Sequence, residues 1–319
     1  MRSLYPKITP NQTFYLPVAG NHQLYVETSG NPKGIPVIYL HGGPGGGCSE
    51  NHRRYFDPEL YHIILFDQRG SGQSKPSPSI DDNNLDYLID DIEAIREYLN
   101  IEQWLVAGGS WGTTLALAYG IEHANRVLAF ILRGIFLGTE QEYQWLYQPE
   151  GAARFFPEYY QDFLSVLPSE HQSDPLKGYY QLLTSENELA VLAASKAWFL
   201  WELRLSSIEH HLSTLVVDDA HVAHCTALIS SHYFNHHCFF NGVGLLDRLA
   251  VIRDIPAIII HGRYDMVCQL DIAHQLAQQW PNAQLQVLPF AGHSGFESQT
   301  IDAFCKATDT IATFLTERD

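Results

Sequence analysis

Three things are scarce in this chain, and each scarcity excludes a class of function. No apolar run approaches the roughly 20 residues of a membrane-spanning helix, and the opening Met-Arg-Ser-Leu-Tyr-Pro-Lys has no apolar stretch of the kind a secretory signal carries. Basic side chains number 19 against 36 acidic ones, a formal balance of −17, so phosphate backbones and anionic membrane surfaces are repelled on average. Neither nucleic acid nor a membrane is expected as a partner. The five cysteines, Cys48, Cys225, Cys238, Cys268 and Cys305, are scattered and contain no C-x-x-C pair, so a disulfide framework and a thiolate metal site are both unsupported. The expected compartment is the cytoplasm.

What remains is an ordinary globular composition. The 319 residues are 45% hydrophobic, enough for one catalytic domain with an insertion. Short apolar runs at Pro36 to His41, His62 to Asp67, Trp104 to Ala107 and Val127 to Leu132 read as buried strands, and His22 to Thr28 alternates like an edge strand. Between them, Leu85, Leu88, Ile89, Ile92, Ile95 and Leu99 recur at helical spacing, and Thr113 through Ala124 forms a second helix. Alternating strands and helices imply a mostly parallel, doubly wound α/β sheet. From about Phe136 to Leu245 aromatics are dense and helical periods dominate, as in Leu192 to Leu205. Residues 136–245 are therefore expected to form a helical cap inserted into a sheet domain made of 1–135 and 246–319. The sheet pattern resumes at Ala257 to His261 and Gln284 to Leu288, with helices over Leu270 to Trp280 and Ile301 to Leu315.

The chemistry concentrates where strands end. Gly108-Gly109-Ser110-Trp111-Gly112 matches G-x-S-x-G between a strand and a helix, the context in which that pattern marks a nucleophilic serine. At the start of a helix, free N–H groups favour developing negative charge. A serine hydroxyl needs a base, and the chain order of this motif asks for an acid and then a histidine. Asp265, in Gly262-Arg263-Tyr264-Asp265, and His293, in Ala291-Gly292-His293-Ser294-Gly295, each follow a strand and fill those roles. Asp271 is the competing acid, but it falls inside the next helix. His41 and His261 flank the same loops and are expected to be structural. His41-Gly42-Gly43-Pro44-Gly45 resembles a loop that supplies an oxyanion donor, and Gly43 and Trp111 are the expected N–H donors. No Gly-Lys-Ser/Thr follows that loop, which argues against a phosphate cradle.

Longer blocks add specificity. His41-Gly-Gly-Pro-Gly-Gly, Asp67-Gln-Arg-Gly-Ser-Gly-Gln-Ser74, Gly108-Gly-Ser-Trp-Gly-Thr-Thr-Leu-Ala-Leu117, Leu132-Arg-Gly-Ile-Phe-Leu137, Gly262-Arg-Tyr-Asp265 and Gly292-His293 together resemble the prolyl aminopeptidases, a cap-bearing branch of the α/β-hydrolase fold. The resemblance implies release of an N-terminal proline from short peptides with a free N-terminus. It also implies that Glu202, in Trp201-Glu202, receives the substrate amine, and that Phe136 lines the proline pocket, with Tyr147 and Tyr233 as further candidates. One departure bears on specificity. Where that family carries a second amine-binding glutamate in Ile-Glu-x-His-Tyr-Phe, this chain has Ile229-Ser230-Ser231-His232-Tyr233-Phe234. Ser230 brings no charge, which is expected to weaken amine affinity and alter the proline preference. Glu209, seven residues after Glu202 on a helical face, is a conceivable substitute.

Other readings stay open on the residues alone. The same triad would serve a capped esterase or amidase for small non-peptide substrates, while aspartate rather than serine at position 110 would be wanted for dehalogenase or epoxide hydrolase chemistry. A non-catalytic binding protein would not need a complete triad. The expected chemistry requires no metal and no cofactor, and His221, His224, His236 and His237 are read as surface or packed histidines. Monomer and homo-oligomer are equally compatible with the sequence.

Overall fold

The computed structural model describes residues 1–208 and 219–317. Eight strands form one sheet: β1 (Gln12–Val18), β2 (His22–Gly30), β3 (Ile35–Leu40), β4 (Tyr61–Phe66), β5 (Trp104–Ser110), β6 (Val127–Ile135), β7 (Ala257–Gly262) and β8 (Ala283–Leu288). Their order is β1-β2-β4-β3-β5-β6-β7-β8. β1 and β2 run antiparallel, as do β2 and β4, and every later pairing is parallel.

One expectation needs correction here. The His22 to Thr28 segment is an interior strand, and the edge belongs to β1, which pairs with it from Gln12↔Thr28 to Val18↔His22. Leu16 of β1 is buried, Phe14 and Val18 on the same side pack partly against the core, and Pro17 lacks a backbone N–H; an edge is where such a strand is tolerated. The central strands are the reverse. In β3, Val37 and Tyr39 enter one core while Ile38 and Leu40 enter the other, and β4 and β5 divide in the same way. Strands covered on both faces read as unbroken apolar runs, which is why they were visible in the sequence.

Helices α1 (Leu85–Tyr98) and α2 (Trp111–Glu122) follow β4 and β5, and α8 (Leu270–Gln279) and α9 (Ser298–Thr316) accompany β7 and β8. Between β6 and β7 stand α3 (Glu140–Tyr147), α4 (Pro157–Ser165), α5 (Pro175–Leu183), α6 (Glu188–Ser206) and α7 (Ala220–Asn235), with no strand among the described residues. Glu209 lies outside the described residues. No helix among them is long and apolar enough to cross a membrane.

Candidate active site

Ser110 sits where β5 turns into α2, with φ 59° and ψ −127°, and its side chain makes no capping bond to the helix. A residue held at positive φ without glycine's freedom is strained, and the surroundings enforce it. The turn is tight enough that a Cβ on Gly112 would lie 2.0 Å from the Leu40 carbonyl oxygen, an impossible contact. Thr113 Oγ1 donates to Ser110 O at 2.7 Å and accepts from Phe136 N at 3.0 Å, while Thr114 Oγ1 donates to Phe136 O at 2.7 Å. The two threonines after the serine thereby tie the end of β6 to the nucleophile turn.

His293 Nδ1 lies 2.8 Å from Asp265 Oδ2, and His293 Nε2 lies 3.0 Å from Ser110 Oγ. With Nδ1–H donating to the carboxylate, Nε2 is left to accept the serine proton. Asp265 is buried. Desolvation is the largest influence and opposes its ionisation, but the charge and hydrogen bond of His293, the neighbouring His261 and the Cys268 N–H outweigh it and hold the carboxyl below its usual pKa. Its Oδ1 accepts from Val267 N at 3.0 Å and Cys268 N at 2.7 Å. Arg133 Nη1 donates to His293 O at 2.6 Å. Gly134, at φ +58°, passes so close that a Cβ there would stand 3.1 Å from the imidazole Cε1. His261 is spent on structure: its Nδ1 accepts from Ile135 N at 3.2 Å, its Nε2 bonds Cys268 O at 2.9 Å, and burial pushes its pKa down.

The glycine loop is anchored from below. His41 Nε2 accepts from Gln68 N at 3.0 Å, Gln68 Nε2 donates to His41 O at 2.9 Å, and Trp111 Nε1 donates to Gln68 Oε1 at 2.9 Å. Asp67 accepts from Cys48 N at 2.7 Å and Gln73 N at 2.8 Å, and buried Arg69 pairs with buried Asp91. The Asp67 to Ser74 block is scaffold for the site. Gly43 borders the space beside Ser110, and Trp111, its ring wholly buried, opens α2, whose first N–H groups have no partner within the helix.

Above Ser110 and His293 is a cavity of about 350 Å³. Phe136, Leu146, Phe199, Leu203, Phe234 and Val267 give it an apolar wall, and Glu202, Thr226, Ser206 and Arg133 give it polar ones. Glu202 Oε1 accepts from the Tyr147 hydroxyl at 2.7 Å. Burial pushes the Glu202 carboxyl up to about 7, against the pull of Tyr147 and, more weakly, of the nearby Trp198 indole. A larger groove of about 800 Å³ runs between α5, α6, α7 and residues 78–81, but it holds none of the triad side chains.

Residues 35–300 match the model of the alpha/beta hydrolase fold family. A proline iminopeptidase from Xanthomonas citri is 47% identical over 315 residues, which is 98% of this chain and 100% of that protein. A proline iminopeptidase from Xylella fastidiosa is 45% identical over 313 residues, again 98% and 100%. The chain belongs to the proline iminopeptidase family. A proline iminopeptidase-related protein from Thermus thermophilus superposes with a TM-score of 0.62 at 22% identity, covering 98% of each chain, a likeness of fold alone.

Not every residue expected at the substrate reaches the cavity. Ser110, His293, Gly43, Phe136 and Glu202 border one cavity. Tyr147 is fully buried and stands behind Glu202 as its hydrogen-bond donor. Tyr233 is turned to the core, its hydroxyl on Asn83 Oδ1 at 2.8 Å and its ring against Trp111. Ser230 is also wholly buried, and its Oγ donates to Pro44 O at 3.1 Å, so it supports the glycine loop from outside the cavity. Asp271, the competing acid, starts α8 and faces Gln141 Nε2 at 3.4 Å. His221 bonds Ser77 Oγ at 3.0 Å, and His236 Nδ1 bonds His232 O at 2.7 Å; no group of three potential metal ligands occurs among the described residues. Phe234, Phe199, Thr226 and Arg133 were missed. Phe234 and Arg133 lie inside blocks already singled out, while Phe199 and Thr226 carry no local signal.

Proposed function

We propose that this protein is a serine aminopeptidase that releases the N-terminal residue, proline in preference, from short peptides with a free N-terminus. Glu202 carries the reading: it is a carboxyl held by Tyr147 in the wall of the cavity that also contains Ser110 and His293. A carboxylate facing a protonated amine makes a charge-assisted bond of roughly 1.5–3 kcal/mol, and an N-terminus anchored there would present its first peptide bond to Ser110 in the same cavity. The apolar wall around Phe136 and Phe234 suits a pyrrolidine ring, in keeping with the name proline iminopeptidase borne by the Xanthomonas citri and Xylella fastidiosa relatives.

In this mechanism Ser110 Oγ attacks the carbonyl carbon of the first residue while His293 Nε2 takes the hydroxyl proton. The tetrahedral oxyanion is met by the N–H groups of Gly43 and Trp111. His293 then gives the proton to the leaving nitrogen, the C–N bond breaks and the shortened peptide departs. Water, deprotonated by His293, attacks the acyl-enzyme, and Ser110 regains its proton as the free amino acid leaves. Asp265 keeps the imidazole in one tautomer and stabilises its cation. Residues 1–135 and 246–319 act as the catalytic domain, and residues 136–245 as the cap that brings Glu202 to it. Five free cysteines suit a reducing cytoplasm.

The test compares a prolyl arylamide, its N-acetylated counterpart, an alanyl arylamide and phenyl acetate, for wild type and Glu202→Gln. Turnover of the free prolyl arylamide well above that of its acetylated and alanyl counterparts, a selectivity lost in Glu202→Gln while phenyl acetate is still hydrolysed, is the expected result. Equal rates on blocked and free substrates would instead make the protein a general esterase or amidase.

A further inference from the structure

Glu202 offers a substrate amine only part of what it needs. Its Oε1 already accepts the Tyr147 hydroxyl with one of its lone pairs, and the carboxylate meets the amine from one side of the cavity only. A protonated N-terminal amine brings two N–H donors if the residue is proline and three otherwise, and leaving one unpaired against this largely apolar wall weakens binding by a factor on the order of ten to a hundred. A second acceptor is needed in the wall.

Thr226 on α7 is an unusual threonine. It is 5% exposed, its side chain borders the same cavity as Glu202, and its Oγ1 has no hydrogen-bond partner. Hydroxyls inside helices ordinarily bond the carbonyl four residues back, as Ser195 does to Val191 O and Ser206 to Glu202 O, both at 2.7 Å. Thr226 forgoes that bond. The next hydroxyl on the same face, Ser230, is spent on Pro44 O. Of the other polar side chains around the cavity, Ser206, Ser110 and His293 are engaged and Arg133 is a cation.

We propose that Thr226 is the second binding partner of the substrate's N-terminal ammonium, its Oγ1 accepting one N–H while Glu202 accepts another. This deepens the amine-binding reading of Glu202 and rests on it. A hydroxyl can turn its own hydrogen aside and present a lone pair, so the neutral threonine serves without adding a second carboxylate whose desolvation the cavity would resist.

The experiment measures Michaelis parameters for Thr226→Val, Thr226→Ser and Glu202→Gln on a prolyl arylamide, its N-acetylated form and phenyl acetate. Valine keeps the shape and removes the oxygen. Expected is a roughly tenfold or larger rise in KM for the prolyl arylamide in Thr226→Val, well beyond any change on phenyl acetate, with Thr226→Ser returning KM to within about threefold of wild type. A wild-type KM in Thr226→Val would overturn the proposal. So would a loss shared by both substrates and not restored by serine, which would mark a packing role. If Glu202→Gln loses its selectivity for the free amine while Thr226→Val is unchanged, only the threonine assignment fails. If Glu202→Gln still distinguishes free from acetylated substrate, the amine-site reading fails with it.

Discussion

The Tyr147 hydroxyl donates to Glu202 Oε1 at 2.7 Å from a position behind the carboxylate, so the tyrosine that looked like a pocket wall is the group that aims the acid. Tyr147→Phe therefore leaves the cavity shape intact and removes one charge-assisted hydrogen bond. KM for a prolyl arylamide is expected to rise roughly tenfold or more with kcat little changed, the loss being one of about 1.5–3 kcal/mol in binding. Steady-state kinetics at pH 8 checks this.

Acidity of the medium should act through the same carboxyl. Burial raises Glu202 to about 7, so below that pH it is neutral and cannot attract an ammonium, and above it the carboxylate is available. KM for the free-amine substrate is expected to climb about tenfold per unit as pH falls below 7, and Glu202→Gln should abolish that slope. Phenyl acetate, which has no amine, reports the titration of the triad separately.

Stability of the unliganded protein follows the opposite sign. A carboxyl whose folded pKa exceeds its unfolded value of 4.5 holds its proton more tightly when folded. Stability from this group is complete below 4.5 and is lost as pH rises through about 7. Glu202→Gln should thus be the more stable protein at pH 8, by at most about 3 kcal/mol, with the gap closing by pH 5. Thermal melts at the two pH values measure it.

Cys268 borders the cavity beside Ser110 and is 1% exposed. Burial, reinforced by Asp265, pushes its thiol well above the ordinary range, so it reacts slowly and faster in alkali. Once modified by a bulky maleimide, it should obstruct the space next to the nucleophile and stop turnover, whereas Cys268→Ala should be resistant. Full activity after stoichiometric labelling at this residue would refute the expectation.

Asp265→Asn tests the orienting acid. Oδ1 can still accept from Val267 and Cys268, but an amide facing His293 Nδ1 favours the wrong tautomer. A fall in kcat of roughly 10⁴ is expected, with the melting curve little altered.

Much of the site was legible because sharp turns write themselves into sequence. Gly112 is demanded by the Leu40 carbonyl and Gly134 by its φ of +58° beside the His293 ring, so the glycines that make the geometry feasible also mark it. Doubly covered strands such as β3 and β4 announce themselves by unbroken apolar runs. The edge strand β1 alternates Phe14, Leu16 and Val18, but Pro17 interrupts the pattern. Its place at the edge is set by its pairing with β2, a partner that its own spacing does not specify.

The linear pattern alone was enough to put Ser110, Asp265 and His293 at strand ends in the order this fold requires, since each depends on a local turn. Which side chains of α7 border the cavity was decided elsewhere. Thr226, Ser230 and Phe234 share one face of a single helix, yet Thr226 and Phe234 border the cavity while Ser230 between them is covered by the glycine loop at Pro44 O, and Tyr233 bonds Asn83. That division depends on which segments pack over each turn of α7, the glycine loop over Ser230 and open cavity over Thr226 and Phe234, and no local spacing encodes it.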